Sequence, residues 1–199
     1  MTKDQRLAIV LLLNLAMVFA LVIVGLVSHS LGVLAAGADY LGDAAGVAIS
    51  LAALRISRHP HGHPKATSFA ALANASFLLL VTTVVGVEAL RRLLGGTPEV
   101  HGLPVLIVSA IAALVMILGA FILGNIESSD FNMRSVMLDT VADAAAAAGV
   151  AIGGAIILIA GGLYWLDSAI ALAVALVIGF HALKLLREVL VDLRRSAAG

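Results

Sequence analysis

Long apolar stretches alternate along the chain with short clusters of charge, proline and glycine. The breaks leave six apolar runs, at roughly 7–27, 31–54, 69–90, 103–124, 135–160 and 163–183. A helix crosses the hydrocarbon core of a bilayer with ~20 predominantly apolar residues. The pattern therefore predicts an all-α, polytopic membrane protein with six transmembrane helices. The first run follows Lys3 and Arg6 as a signal peptide would. It is nevertheless longer than the ~7–15 apolar residues of a signal sequence, and no small-residue cleavage site closes it, so it reads as a membrane helix.

Composition sharpens this picture. Of 199 residues, 62% are hydrophobic and 12% charged, with a mean hydropathy of +1.12, far from the balance of a water-soluble domain. Six spans and their connections use up the chain, so a single transmembrane domain over 1–199 is expected, with no soluble domain. Twelve Lys and Arg offset twelve Asp and Glu, which leaves no net charge to attract nucleic acid. With no cysteine, disulfides, thiol nucleophiles and thiolate metal ligands are excluded, and any chemistry must use carboxylates, imidazoles or backbone. The sequence lacks H-E-x-x-H, G-x-S-x-G and P-loop patterns, which argues against an intramembrane protease or an ATP-driven pump. Neither an enzyme activity nor a cofactor is expected from these motifs.

Ten of the twelve basic residues fall on one side of the predicted membrane; only Arg91 and Arg92 fall on the other. By the positive-inside rule both termini are cytoplasmic. The Ser28–Ser30 turn, the Gly95–Gly102 loop and the Gly161–Gly162 turn then face outward.

Against this apolar background, four aspartates stand out. Asp39 and Asp43 lie in the second run, Asp139 and Asp143 in or at the start of the fifth. An Asp at the centre of a membrane helix costs ~2.5–3.5 kcal/mol on insertion scales, which makes each a functional candidate. Both pairs have i, i+4 spacing, which stacks their carboxylates on one helix face. Counting ~1.5 Å per residue from Leu31 puts Asp39 ~12 Å and Asp43 ~18 Å into the membrane; Asp139 and Asp143 reach similar depths from the opposite side, starting near Phe131. Both pairs bracket the midplane and can form one four-carboxylate cluster. Such a cluster stays ionised in a low dielectric only when a cation neutralises it, and otherwise takes up protons. That is the chemistry of a metal and proton exchange site. Gly42, Ala44 to Gly46, Ala142 and Ala144 to Gly149 are small enough for close helix approach beside these carboxylates.

Other polar positions are read more plainly. His59, His61 and His63, separated by Pro60 and Gly62, can reach one divalent cation from the second-to-third connection. His29, His101 and His181 read as interfacial or packing residues, Glu88, Arg91 and Arg92 as an interfacial charge cluster, and Asp167 as a cap beside an aromatic belt of Tyr164 and Trp165. Asn14 and Asn74 are mid-span amides that either line a path or bond a neighbouring helix.

With these residues in view, the chain resembles the cation diffusion facilitator family over nearly its whole length. Ser30 to Asp43 looks like the family's second helix, S-x-A-L-x-A-D-A-x-[HD]-x-x-x-D, and His59 to Ala66 like its H-P-x-G-[HY]-G-[RK]-A-E loop, with Thr67 in place of the glutamate. Glu88, Arg91, Arg92 and Pro98 to Val100 fit the end of the third helix, and Asn132 to Ser135 followed by Asp139 and Asp143 fits N-x-x-[SA] with [HD]-x-x-x-D. The resemblance implies a proton-coupled efflux carrier for divalent metals, working as a homodimer in the bilayer, with the bacterial inner (plasma) membrane as expected location. By position, Asp39, Asp43, Asp139 and Asp143 match the four ligands of the family's transport site. His59 and His63 match two ligands of a secondary loop site; its upstream acidic ligand is missing, leaving His61 as the substitute.

Asp139 stands where zinc carriers of the family usually have His, and Asp39 where many do, which gives an all-oxygen site. Zn²⁺ leads by the family's usual substrate, while oxygen ligands raise Mn²⁺, Fe²⁺ and Co²⁺. The resemblance thus implies an antiporter exporting Zn²⁺, or Mn²⁺, Fe²⁺, Co²⁺ or Cd²⁺, from the cytoplasm by alternating access. The alternatives are a non-transporting membrane metal-binding or assembly subunit, a small proton-coupled exporter of organic cations, and a passive metal channel. An organic-cation exporter usually needs one acid and an aromatic-lined pocket, whereas aromatics are only 5% of this chain.

Overall fold

A computed structural model describes residues 3–56, 64–124 and 131–198. Six helices account for most of them: α1 (Lys3–Val27), α2 (Leu31–Ile56), α3 (Pro64–Gly95), α4 (Gly102–Gly124), α5 (Phe131–Ala160) and α6 (Trp165–Ala198). A helix covers each of the six predicted runs. Stretches within α1, α3, α4, α5 and α6 are long and apolar enough to cross a membrane. Helix α2 is the one outside that group; its 26 residues suffice in length, and it is the helix that carries both Asp39 and Asp43.

The helices outrun the apolar runs where nothing in the chain stops them. Helix α3 starts at Pro64, whose locked φ suits the first position of a helix, and ends at Gly95. There Gly96 takes φ 108° and donates its N–H to the Arg92 carbonyl at 2.9 Å, a left-handed helix stop. Helix α6 continues past the predicted end at 183 to Ala198. Neither Pro nor Gly interrupts Lys184–Ala198, and Val189 in this stretch is buried. At its other end α6 begins at Trp165, not at 163, because Gly161 and Gly162 both have positive φ and form the reversal after α5.

The main packing pairs are α1 with α2, α4 with α5, and α3 with α6. Helix α2 touches each of the other five and so forms the centre of the bundle. The core draws on all six helices, including Leu21, Val33, Tyr40, Ala89, Val105, Val150 and Ala171. Outward-facing Leu12, Phe19, Ile23, Leu80, Leu118, Ile159 and Phe180 are exposed apolar side chains, as expected of a surface solvated by lipid.

Helices α4 and α5 approach most closely at two glycines. A Cβ at Gly154 would stand 2.8 Å from the Leu106 nitrogen, and one at Gly102 2.6 Å from the Gly154 carbonyl oxygen. Close approach was expected beside the aspartates instead. Gly46 and Gly149 have nothing within 4 Å of their Cβ positions among the described residues, and Gly42 meets the Leu78 side chain. The tight crossing lies at the start of α4, well away from the carboxylates.

Candidate functional site

Three connections meet at one end of the bundle: the α1–α2 turn, the α3–α4 loop and the α5–α6 reversal. The His101 N–H donates to the Ser28 carbonyl at 3.2 Å, and Arg92 Nη1 donates to the His29 carbonyl at 2.8 Å. Arg92 is also paired with Glu88 at 3.2 Å, whereas Arg91 is largely exposed. The expected Glu88–Arg92 cluster therefore exists, and it additionally grips the α1–α2 turn. His29 has φ 56° and its ring lies 6.4 Å from that of His101. Both side chains are exposed, as is His181 beside Phe180.

Asp167 does act as a cap, but for another helix. Helix α2 begins with free N–H groups and the positive end of its dipole. Ser30 caps it locally, accepting the Val33 N–H at 3.1 Å. Asp167 of α6 takes the next groups: its Oδ2 accepts the Leu31 N–H at 2.7 Å and its Oδ1 the Gly32 N–H at 3.2 Å. Ser30 Oγ donates to the same Oδ1 at 2.5 Å. The residue is 3% exposed, and three donors partly offset the burial of its carboxylate through charge-assisted bonds. No local sequence signal pairs residues so far apart in the chain.

Counting inward from this end, α2 reaches Ala35, then Asp39 and Tyr40, then Asp43. Tyr40 is buried, and its hydroxyl donates to the Ala112 carbonyl of α4, which sets the rotation of α2 against that helix. Asp39, Asp43 and Asp143 are each half-buried. The carboxylates of Asp43 on α2 and Asp143 on α5 both interact electrostatically with that of Asp39. Two helices far apart in sequence thus bring acids together inside the bundle. Asp139 lies one turn before Asp143 on α5; its side chain is outside the described residues, as are His59, His61 and His63 altogether. Among the described residues no three acid or imidazole side chains converge closely enough to hold one ion. Asp39 thus interacts electrostatically with Asp43 and Asp143, and the three do not close into a coordination cage.

Asn14 on α1 is buried and Asn74 on α3 half-buried. Two surface cavities flank the connections. One of about 380 Å³ is lined by Glu99 to Pro104, Ile157, Leu158, Gly161 and Tyr164, and the other, of about 350 Å³, by Glu88, Arg91, Arg92, Gly95, Gly96 and Pro98. Neither is lined by the aspartates of α2 or α5.

Residues 7–194 match the cation efflux transmembrane domain. The chain belongs to the cation efflux family. Among curated proteins of this cation efflux type it is 31% identical over 193 residues to the zinc transporter ZitB of Pectobacterium atrosepticum, covering 94% of this chain and 60% of that protein. It is 30% identical over 180 residues to the metal cation efflux system protein CzcD of Cupriavidus metallidurans, covering 87% of this chain and 56% of the relative. A cadmium, cobalt and zinc/H(+)-K(+) antiporter of Bacillus velezensis is 28% identical over 190 residues, 88% of this chain and 60% of its own length. The chain thus spans less than two thirds of the length of these relatives. Membership of a transmembrane cation efflux family, together with the apolar helices, makes this an integral membrane protein.

Proposed function

We propose that the protein is a divalent metal cation/proton antiporter that exports metal from the cytoplasm, with Asp39, Asp43, Asp139 and Asp143 as its transport site. The observation that carries this reading is the electrostatic contact of Asp39 with both Asp43 and Asp143, which joins acids of α2 and α5 in the bundle. Family membership and relatives named for zinc, cadmium and cobalt transport support it. Ionised carboxylates in a low-dielectric bundle repel one another until a cation or protons neutralise them. Metal therefore binds from the cytoplasm when the acids are ionised. Once the site opens outward, protons compete for the same oxygens and release it, which couples export to proton entry by alternating access.

Both termini face the cytoplasm in this reading, in line with the basic residues near them, so the end where the three connections meet is the outer face. Zn²⁺ is the first substrate, as in the relatives' names, and an all-oxygen site admits Mn²⁺, Fe²⁺ and Co²⁺ beside it. His59, His61 and His63 form a cytoplasmic loop site that collects metal, and the carrier works as a homodimer in the bacterial inner membrane.

The test is metal uptake into proteoliposomes under an imposed pH gradient, with Zn²⁺, Mn²⁺, Fe²⁺, Co²⁺ and Cd²⁺ compared. Flux that depends on the gradient and is lost in Asp43→Ala supports the antiporter. Full flux in that variant removes the site assignment. Metal bound without flux points instead to a binding or assembly subunit, and flux indifferent to the gradient to a channel.

A further inference from the structure

The exchange chemistry just proposed makes no use of Asp167, yet this buried carboxylate accepts three hydrogen bonds. It joins α6 to the first turn of the central helix α2 through Ser30, Leu31 and Gly32. Its neighbour Arg92, on the α3 that packs against α6, holds the α1–α2 turn at His29 and lies within electrostatic reach of Asp167. The fit is tight, since a Cβ at Gly32 would stand 3.0 Å from Asp167 Oδ1. The α3–α6 pair is thereby fastened to the α1–α2 hairpin at the end that lies outward in the proposed topology. One turn farther in, Ala35 shares a helix face with Leu31 and Asp39 and is 1% exposed. On the face of α2 that leads from the fastening to Asp39, Leu31 and Ala35 are both buried.

We infer that Asp167 is a positioning residue for transport: with Ser30 and Arg92 it forms an outer latch that holds the end of α2 against α6 while the site is shut to the outside, and that releases when the site opens outward. This inference rests on the antiporter reading for its role in export, and on the hydrogen bonds alone for the latch. Opening requires α2 to part from α6 at its outer end, and three hydrogen bonds to one carboxylate oppose that parting. A variant without them populates the outward-open form more heavily.

The native chain has no cysteine, so Ala35→Cys is a single reporter on the shielded face. In proteoliposomes without metal, its labelling by a membrane-impermeant thiol reagent at the outer face is compared with and without Asp167→Asn. The expected result is labelling faster by on the order of tenfold, with Ser30→Ala shifting it in the same direction by less. Metal affinity of folded Asp167→Asn is expected to stay within about twofold of the parent while turnover changes, because the substitution shifts a conformational equilibrium and leaves the transport ligands in place. Reduced thermal stability with unchanged labelling overturns the latch and leaves Asp167 a structural staple. Should Asp167→Asn fail to fold, Ser30→Ala and Arg92→Lys decide the matter, and unchanged labelling in both overturns the proposal. Accelerated labelling in a protein that carries no metal keeps the latch and removes the antiporter; gradient-driven flux with unchanged labelling does the reverse.

Discussion

Asp39 and Asp167 are the same side chain on helices that pack against each other, and their surroundings differ in kind. Asp167 is enclosed by a hydroxyl and two backbone N–H groups, with a guanidinium nearby. Asp39 has two further carboxylates as its electrostatic neighbours. In the first case the protein itself supplies donors and a nearby positive charge to the buried acid; in the second, acids from two helices add negative charge to one another's surroundings. A buried carboxylate in a membrane bundle is therefore not informative until its neighbours are known. Those surrounded by donors hold helices together, and those surrounded by acids call for a cation or protons.

Function is where the two differ most. Asp43→Ala is expected to reduce gradient-driven metal flux to background, since it removes a charge from the proposed transport site. Asp39→His goes further into the same question: an imidazole among oxygens should move selectivity toward Zn²⁺ and away from Mn²⁺. Competition uptake with the two ions reads this out, and an unchanged Zn²⁺/Mn²⁺ ratio would remove Asp39 from the coordination sphere.

Stability should respond in the opposite sense. Asp167→Ala leaves the Leu31 and Gly32 N–H groups and the Ser30 hydroxyl without their acceptor, at a cost of about 3 kcal/mol for orphaned buried polar groups. Asp39→Ala in metal-free protein removes a like-charge neighbour, and unfolding in mixed micelles should find it as stable as the parent or more so. Equal losses in the two variants would erase the distinction between the donor-bound acid and the acid among acids.

Much of this was legible from residues alone. The six spans, the i, i+4 aspartate pairs and the starts of α2 near Leu31 and α5 near Phe131 follow from hydropathy and helical spacing, which are local properties. The ends of α3 and α6 were not, because α3 runs on to the backbone stop at Gly96 and α6, with no Pro or Gly in Lys184–Ala198 to interrupt it, continues past the point where hydropathy falls. Asp167 was recognised as a cap, but its helix was hidden by a separation of 135 residues from Gly32. The Gly102–Gly154 crossing was likewise hidden among many glycines, since only the packing of α4 on α5 singles it out.

That crossing offers a prediction between the large effects and the small. Gly154→Ala would drive a methyl against the Leu106 nitrogen and the Gly102 carbonyl, which are backbone atoms and cannot rotate away. The helices must separate, at a cost of about 1–3 kcal/mol for overpacking. Gly149→Ala, where the described residues leave open space, should be neutral or slightly stabilising through helix propensity. Thermal unfolding of the two variants side by side checks the contrast. Equal shifts would show that the backbone contact does not set the α4–α5 distance.

The smallest effect should come from Ser109 on α4. Its hydroxyl is fully buried and has no hydrogen-bond partner among the described residues, whereas Thr82 on α3 bonds the carbonyls of Leu78 and Leu79 in its own helix. Ser109 therefore bears the cost of burying a polar group without the return that Asp167 obtains from its donors. Removing an unpaired buried hydroxyl orphans nothing, so Ser109→Ala should change stability by no more than about 0.5 kcal/mol, on the stabilising side if at all. A loss above about 1 kcal/mol would mean that the hydroxyl has a partner, a bound water or a group exposed in another conformation of the transport cycle. In that event the loss should be largest in whichever conformation supplies the partner, and repeating the unfolding with and without saturating Zn²⁺ would identify it.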